Sequence, residues 1–175
     1  MPMESHFSTA GVSAGRQFQC FRDAICESVI RLGARRPRTG PFAAEIRASR
    51  FGPMRLTEVR CDAVTIERTR LDIARESGGV FYVTLQLAGV GRVVQRGREA
   101  HLRAGEFTVL DSTEPYALHF DAPVRRLVVE VPTAGSFQGR SECRDQLLAQ
   151  PVQVHLPAPG ETGRQDHVLA CQGSR

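Results

Sequence analysis

The sequence contains no lysine, and all 23 of its basic residues are arginines. A net charge of +4 could indicate a nucleic-acid partner, but exclusive arginine use is typical of a GC-rich genome. No run of about 18 apolar residues is present for a membrane span, and the first residues lack the basic and apolar regions of a signal peptide. We therefore expect a cytoplasmic protein without a membrane partner.

Motifs for metals, nucleotides and nucleophilic catalysis are also missing. The five cysteines are irregularly spaced without a C-x-x-C pair, and the five histidines form no H-x-H or H-E-x-x-H. No phosphate-binding loop and no G-x-S-x-G motif occur, and Gly89-Val-Gly91 lacks the third glycine of a dinucleotide site. These absences predict no cofactor, no metal and no catalytic residues, hence no enzyme.

A ladder of short apolar runs dominates the sequence from Val80 to Val131. Each run is β-branched, aromatic or alternating, which is typical of a strand, and each break carries glycine or proline, which suit tight turns. The breaks are Gly89-Val-Gly91, Arg96-Gly97, Arg103-Ala-Gly105, Ser112-Thr-Glu-Pro115 and Asp121-Ala-Pro123. This pattern predicts a mostly-β sandwich or barrel.

Alternating residues of these strands form apolar sets that can all point into one interior, because the side-chain period of a strand is two. The predicted core sets are Phe81, Val83, Leu85 and Leu87; Ala100 and Leu102; Phe107 and Val109; Tyr116, Leu118 and Phe120; and Leu127, Val129 and Val131.

The flanking segments differ from this ladder. Residues 1–16 are rich in small residues and predict a flexible arm, whereas apolar spacing from Phe18 to Leu32 predicts an amphipathic helix ending at Gly33. Residues 133–175 are rich in proline, glycine and glutamine and predict a tail that is disordered or weakly helical around 140–150. The predicted domain therefore spans residues 17–132.

Four stretches of the sequence resemble a known family and follow one another in that family's order. They are Phe18–Cys26, Gly40–Ala48 with Val83–Val93, and above all Gly97–Tyr116, where a glycine turn, a strand, an Ala-Gly-Glu-Phe turn, a strand ending in Asp-Ser and a Pro-aromatic step follow one another. Residues 18–132 thus resemble the cupin-type N-terminal sensing domain of AraC/XylS-type transcriptional regulators. The resemblance implies a jelly-roll barrel that binds a small effector between its sheets and supports dimerisation.

The same resemblance implies a site without metal, because Pro115-Tyr116 and the segment Gln86–Gly91 carry none of the histidines that metal-binding cupins have there. The candidate effector-binding residues are Tyr116, Phe107, Phe81 and Leu118. For each of them, plain core packing is the alternative role.

Members of this family continue into a DNA-binding region with two helix-turn-helix units, which the segment after Pro132 does not suggest. We expect a sensing domain truncated before that region, through a shifted reading frame or as a detached module. It would not bind nucleic acid directly and would form a homodimer or a heterodimer with a full-length relative. The alternatives are a dimerisation-only barrel, or a small cupin enzyme with metal ligands drawn from His101, His119, Glu99 and Asp111.

Overall fold

The computed structural model describes residues 3–76, 78–132 and the short strand at 152–153. These residues form two antiparallel sheets that face each other. The first sheet contains, in order across it, β1 (Met3–Ser8), β3 (Ala44–Phe51), β4 (Met54–Cys61), β11 (Val124–Pro132), β6 (Val80–Ala88), β9 (Glu106–Asp111) and β12 (Val152–Gln153). The second contains β2 (Gly33–Arg35), β5 (Val64–Arg68), β10 (Tyr116–Phe120), β7 (Gly91–Gln95) and β8 (Arg98–Leu102).

Helices are few in the described part of the chain. A 3-10 turn covers Thr9–Gly11, α1 covers Ala14–Ser28 and α2 covers Arg70–Ala74. None of them is long and apolar enough to cross a bilayer. The mostly-β, cupin-like architecture predicted from the sequence is confirmed.

The turns predicted from the sequence coincide with the ends of the strands in the structure. Arg96 and Gly97 both have positive φ, at 53° and 71°, and they join β7 to β8 as a two-residue hairpin of the type that such angles favour. Gly89 also has positive φ, and a Cβ there would lie 2.7 Å from the Pro123 carbonyl oxygen. Gly89 and Gly97 therefore use the backbone freedom or the small size of glycine, whereas Arg96 adopts its positive φ as a residue with a side chain.

The main core lies between the sheets, and α1 packs onto one end of it. Phe21 and Ile25 of the helix are almost fully buried. The Phe21 ring centre lies 5.0 Å from that of Phe42, and Phe18 meets Phe42 edge-on at the same distance. This aromatic cluster attaches α1 to the β-sandwich by apolar contact.

The predicted inward faces of three strands are wrong. On β6 the inner face carries Tyr82, Thr84 and Gln86, while Phe81 and Val83 lie on the outer face of the seven-stranded sheet. On β9 and β11 the same reversal places Phe107, Val109 and Val131 outside. By the same alternation Leu85, Leu87, Leu127 and Val129 belong to the outer face. The sets predicted for β8 and β10 do lie inside.

The reversal has a physical reason. Both faces of the central strands are buried in part, and the outer face is the more apolar of the two, whereas the inner face carries Thr84, Thr108 and Arg126. A period of two shows which residues share a face, but it does not show which face points inward.

The N-terminal segment is also more ordered than its composition suggests. Residues 3–8 form β1, which pairs with β3 from Ser8 opposite Glu45 to Met3 opposite Ser49. The buried Thr9 hydroxyl donates to the Ala44 carbonyl oxygen at 3.3 Å and accepts from the Ala44 N–H at 2.8 Å. The expectation of a flexible arm therefore does not hold for residues 3–16. Backbone pairing of an edge strand does not require apolar side chains, so composition did not reveal it.

Two further elements differ from the predictions. Helix α1 begins four residues earlier than Phe18 and ends at Ser28, because Val29 leaves the helical region with φ −123° and ψ −80°. The second is α2, a short helix that is not predicted from the sequence and that starts with a capping box between Thr69 and Asp72. The predicted tail at residues 133–175 lies outside the described residues, apart from β12.

Candidate effector site

A small inner cavity of about 20 Å³ lies between the two sheets, beneath the end of α1. The cavity is lined by residues of α1 and of the segment that follows it, and by residues of the four strands β6, β9, β10 and β11. The lining residues are Ile25, Val29, Leu32, Tyr82, Thr84, Leu110, Tyr116, Leu118, Arg126 and Val128. Most of the wall is apolar, with hydroxyls and one guanidinium among the lining groups. A mostly apolar lining with few polar groups is typical of small-molecule sites, but the volume of this cavity is far below the about 300–1,000 Å³ that such sites usually have.

Two of the four candidate effector-binding residues lie here. Tyr116 and Leu118 project inward from β10 and are 6% and 5% exposed. Burial raises the pKa of the Tyr116 phenol to about 12, so the hydroxyl keeps its proton at neutral pH. The structure shows no hydrogen bond from this hydroxyl to another residue that it describes.

The other two candidates lie elsewhere. Phe81 and Phe107 belong to the outer cluster of the seven-stranded sheet, with Val83, Val109 and Val131. The sheet itself separates this cluster from the inner cavity. The four candidates therefore do not line one pocket, because the parity of β6 and β9 is opposite to the predicted one.

A surface pocket of about 580 Å³ adjoins the inner cavity. Its lining includes Arg75, Glu76 and Glu130, and it shares Val29 and Tyr82 with the cavity. The Tyr82 hydroxyl donates a hydrogen bond of 3.1 Å to the Val29 carbonyl oxygen. Burial raises the pKa of this phenol far above its ordinary value. The boundary between cavity and surface pocket is thus held by a neutral, hydrogen-bonded tyrosine.

Sequence reasoning missed the most polar lining residue, Arg126. It lies on the inner face of β11, 3% exposed, with its guanidinium 4.8 Å from the centre of the Phe120 ring. A signal for it was present: in an Arg125-Arg126 pair within a strand, one side chain must point inward whichever face is the core. Arg125 is the outward one, and its Nε donates to Glu58 at 2.6 Å.

In a second buried arginine, Arg68 on β5, each of the three guanidinium nitrogens has a hydrogen-bond or ion-pair partner. Its Nε donates to the Ser112 carbonyl oxygen at 2.8 Å and its Nη1 to that of Arg31 at 2.5 Å, while Nη2 pairs with Glu76 at 3.0 Å. Arg68 therefore connects β5 to the three loops that contain these partners, and two of the partners, Ser112 and Glu76, line the surface pocket.

The alternative metal ligands are dispersed. His101 and Glu99 are neighbours on the exposed face of β8, 3.0 Å apart, whereas His119 on β10 lies against Thr65. Asp111 is buried and accepts hydrogen bonds from the N–H and hydroxyl of Thr113. Among the described residues no group of three potential ligands comes together.

Comparison with known proteins identifies the family. The AraC-binding-like domain profile matches residues 21–170. The chain belongs to the AraC-binding-like domain family. The match extends beyond Pro132 into the segment predicted from the sequence as a tail.

Relatives of this AraC-binding-like domain include one transcriptional activator. It is 32% identical over 130 residues to an uncharacterized protein in the nit 5' region of Bacillus sp. (strain OxB-1), covering 74% of this chain and 50% of that one. It is 35% identical over 91 residues to the transcriptional activator NphR of Rhodococcus sp., covering 52% of this chain and 27% of NphR. The chain thus spans about half or less of the length of these curated relatives.

A solved structure shows the same fold. The AraC-like transcriptional activator CuxR superposes with a TM-score of 0.62 at 20% identity, over 73% of this chain and 47% of CuxR. The family model thus gives the family of this chain, and CuxR shows that the chain shares that activator's fold.

Proposed function

We propose that this AraC-binding-like domain binds a small organic effector in the inner cavity, as the sensing part of an AraC-type transcriptional regulator acting in the cytoplasm. The observation that carries the proposal is the cavity itself, which lies between the sheets, mostly apolar, with Tyr116, Thr84 and Arg126 in its wall. Tyr116 and Leu118 are the proposed contacts from β10.

The cavity has room for about one water molecule, so an organic effector needs additional space. That space is adjacent, because the surface pocket shares Val29 and Tyr82 with the cavity. Displacing Val29 from Tyr82 would join the two spaces and move the end of α1. Effector binding would then favour one position of α1 by its difference in affinity for the two states.

Regulation would act through association with another chain. The family suggests a homodimer or a heterodimer with a full-length relative, and α1 on the outside of the barrel offers a route from effector to partner. The described residues contain no second long helix of the kind that a helix-turn-helix needs. We therefore propose that they do not contact DNA themselves.

Thermal unfolding with a panel of small organic compounds tests the proposal. A binding compound should raise the unfolding midpoint, and the rise should grow with its concentration. EDTA should leave the midpoint unchanged, because we propose no catalytic metal and no enzyme activity. Stoichiometric metal in the purified protein, or destabilisation by EDTA, would instead support the cupin-enzyme alternative.

A dimerisation-only role needs a separate experiment. The purified chain is mixed with a full-length family member and the mass of the complexes is measured by light scattering, with and without the stabilising compound. A heterodimer whose amount changes with the compound supports a sensor. A heterodimer that forms equally well without any binding compound supports dimerisation alone.

A further inference from the structure

The guanidinium of Arg126 is a buried charge without a counter-ion in the part of the chain that the structure describes. The residue makes no ion pair there, and its buried Nε has no hydrogen-bond partner. Across the sheet it is opposite Val59 on one side and Gln86 on the other. Neither neighbour carries a charge.

The titratable groups closest to it do not supply a negative charge at neutral pH. Burial raises the pKa of the Cys61 thiol to about 11 and that of the Tyr116 phenol to about 12. Glu130 shares the inner face of β11, but it lies four residues along the strand, about 13 Å away. The Phe120 ring faces the guanidinium and attracts it without neutralising it.

Arg68 is a buried arginine of the same fold whose charge is paired within the protein, and it can be compared with Arg126. It is buried to the same degree, yet two carbonyl oxygens and one carboxylate occupy its nitrogens. An arginine keeps its charge inside proteins, and a buried charge is costly unless it is paired. Arg126 lacks such partners and lines a cavity, which is the arrangement expected of a group that pairs with a ligand.

The other residues in and beside the cavity wall indicate the chemistry of the part of the ligand that does not contact Arg126. Thr84 and Tyr116 carry hydroxyls in the wall, and Thr108, directly opposite Thr84 across β6 and β9, has a buried hydroxyl oxygen without a partner. Ile25, Leu118 and Val128 make much of the remaining wall apolar. We propose that the effector is a small organic acid whose carboxylate pairs with Arg126 and whose apolar part lies beneath α1. This inference rests on the proposed function.

Titration calorimetry at pH 7.5 with paired probes tests the assignment. The probes are acetate, butyrate, hexanoate and benzoate, each matched with its primary amide. We expect a carboxylate to bind the wild-type chain at least tenfold more tightly than its amide, because charge-assisted pairing with arginine is strong. Affinity should rise about fourfold for each methylene added from acetate to hexanoate.

Variants of the two adjacent arginines of β11 show which guanidinium pairs with the carboxylate of the probe. Arg126→Met should bind a carboxylate and its amide equally, whereas Arg125→Met, which removes the same charge from the outer side of the same strand, should keep the wild-type preference. Near-UV circular dichroism checks that each variant is folded, and Arg126→Gln replaces the methionine variant if it is not.

The remaining outcomes overturn the proposal in distinguishable ways. Equal binding of carboxylate and amide to the wild-type chain would reject the organic acid and leave a neutral effector in the cavity. Stabilisation by phosphate or chloride alone, equal to that by the carboxylates, would assign an inorganic anion. Failure of every probe, charged or neutral, to bind would reject the proposed function together with this inference.

Discussion

Tyr82 and Val29 are joined across the edge of the barrel by a hydrogen bond of 3.1 Å from the tyrosine hydroxyl to the main-chain carbonyl oxygen. Tyr82 belongs to the inner face of β6, and Val29 is the residue that directly follows α1. Both line the inner cavity and the surface pocket. The contact therefore connects the sheet to the helix that covers the proposed site.

Removing this contact should loosen the end of α1. Tyr82→Phe should lower the free energy of unfolding by about 1 kcal/mol, because one net hydrogen bond is lost. Amide hydrogen exchange near the end of α1 should become faster, since the helix opens more often. Mass spectrometry after deuterium labelling measures the exchange.

Tyr116→Phe is the matched control for this experiment. The Tyr116 hydroxyl makes no hydrogen bond to another described residue, so its removal should leave exchange in α1 unchanged. Equal exchange rates in the two variants would contradict the role of Tyr82 at the boundary.

The two buried arginines should respond oppositely to the same substitution. Arg68→Met should lower the free energy of unfolding by about 3 kcal/mol, because two carbonyl oxygens and Glu76 lose a charged partner. Arg126→Met should leave it unchanged or raise it by about 1 kcal/mol, because an unpaired buried charge is replaced by an apolar side chain.

Urea unfolding at pH 7.5, in a buffer free of carboxylates, measures both changes. Destabilisation of Arg126→Met by as much as Arg68→Met would show that Arg126 has a counter-ion within the protein. The case for a ligand carboxylate would then fail.

Alkaline pH should destabilise the protein partly through Cys61. Burial raises the pKa of this thiol from its ordinary 9.0 to about 11 in the folded state. The unfolded chain therefore loses the proton first as the pH rises. This stability is fully present below pH 9 and is lost as the pH rises towards 11.

Between pH 8.5 and 10.5 the loss through this thiol should be about 2 kcal/mol. Cys61→Ala should reduce the pH-dependent fall by that amount, as measured by urea unfolding at both pH values. Cys20→Ala, which replaces a less buried cysteine of α1, serves as the control and should retain the wild-type fall. An unchanged fall in Cys61→Ala would show that the thiol titrates normally.

The strand ladder could be predicted from local signals alone. Turn positions such as Arg96-Gly97 impose backbone angles that few residue types adopt, and they place the strand ends within one or two residues. The inner face of β10 was also predictable, because its apolar residues Tyr116, Leu118 and Phe120 are the buried ones.

The inner faces of β6, β9 and β11 were not predictable in this way. There the more apolar residues, such as Phe81 and Phe107, lie outside, and the cavity is lined by Thr84 and Arg126 instead. A binding site places polar residues at some inward positions, so a rule that puts the most apolar set inside is expected to fail at the proposed site.

The most direct test of an effector inside the barrel uses two adjacent residues of β11. Val128 lines the inner cavity, and Val129 points to the opposite face. Titration calorimetry compares binding of the best-stabilising compound to Val128→Phe and Val129→Phe, with Val128→Leu in place of Val128→Phe if the larger side chain prevents folding. We predict that the inner substitution weakens binding at least tenfold while the outer one leaves it unchanged. Weakened binding in Val129→Phe alone would place the effector on the outer face, near Phe81 and Phe107, and contradict the account.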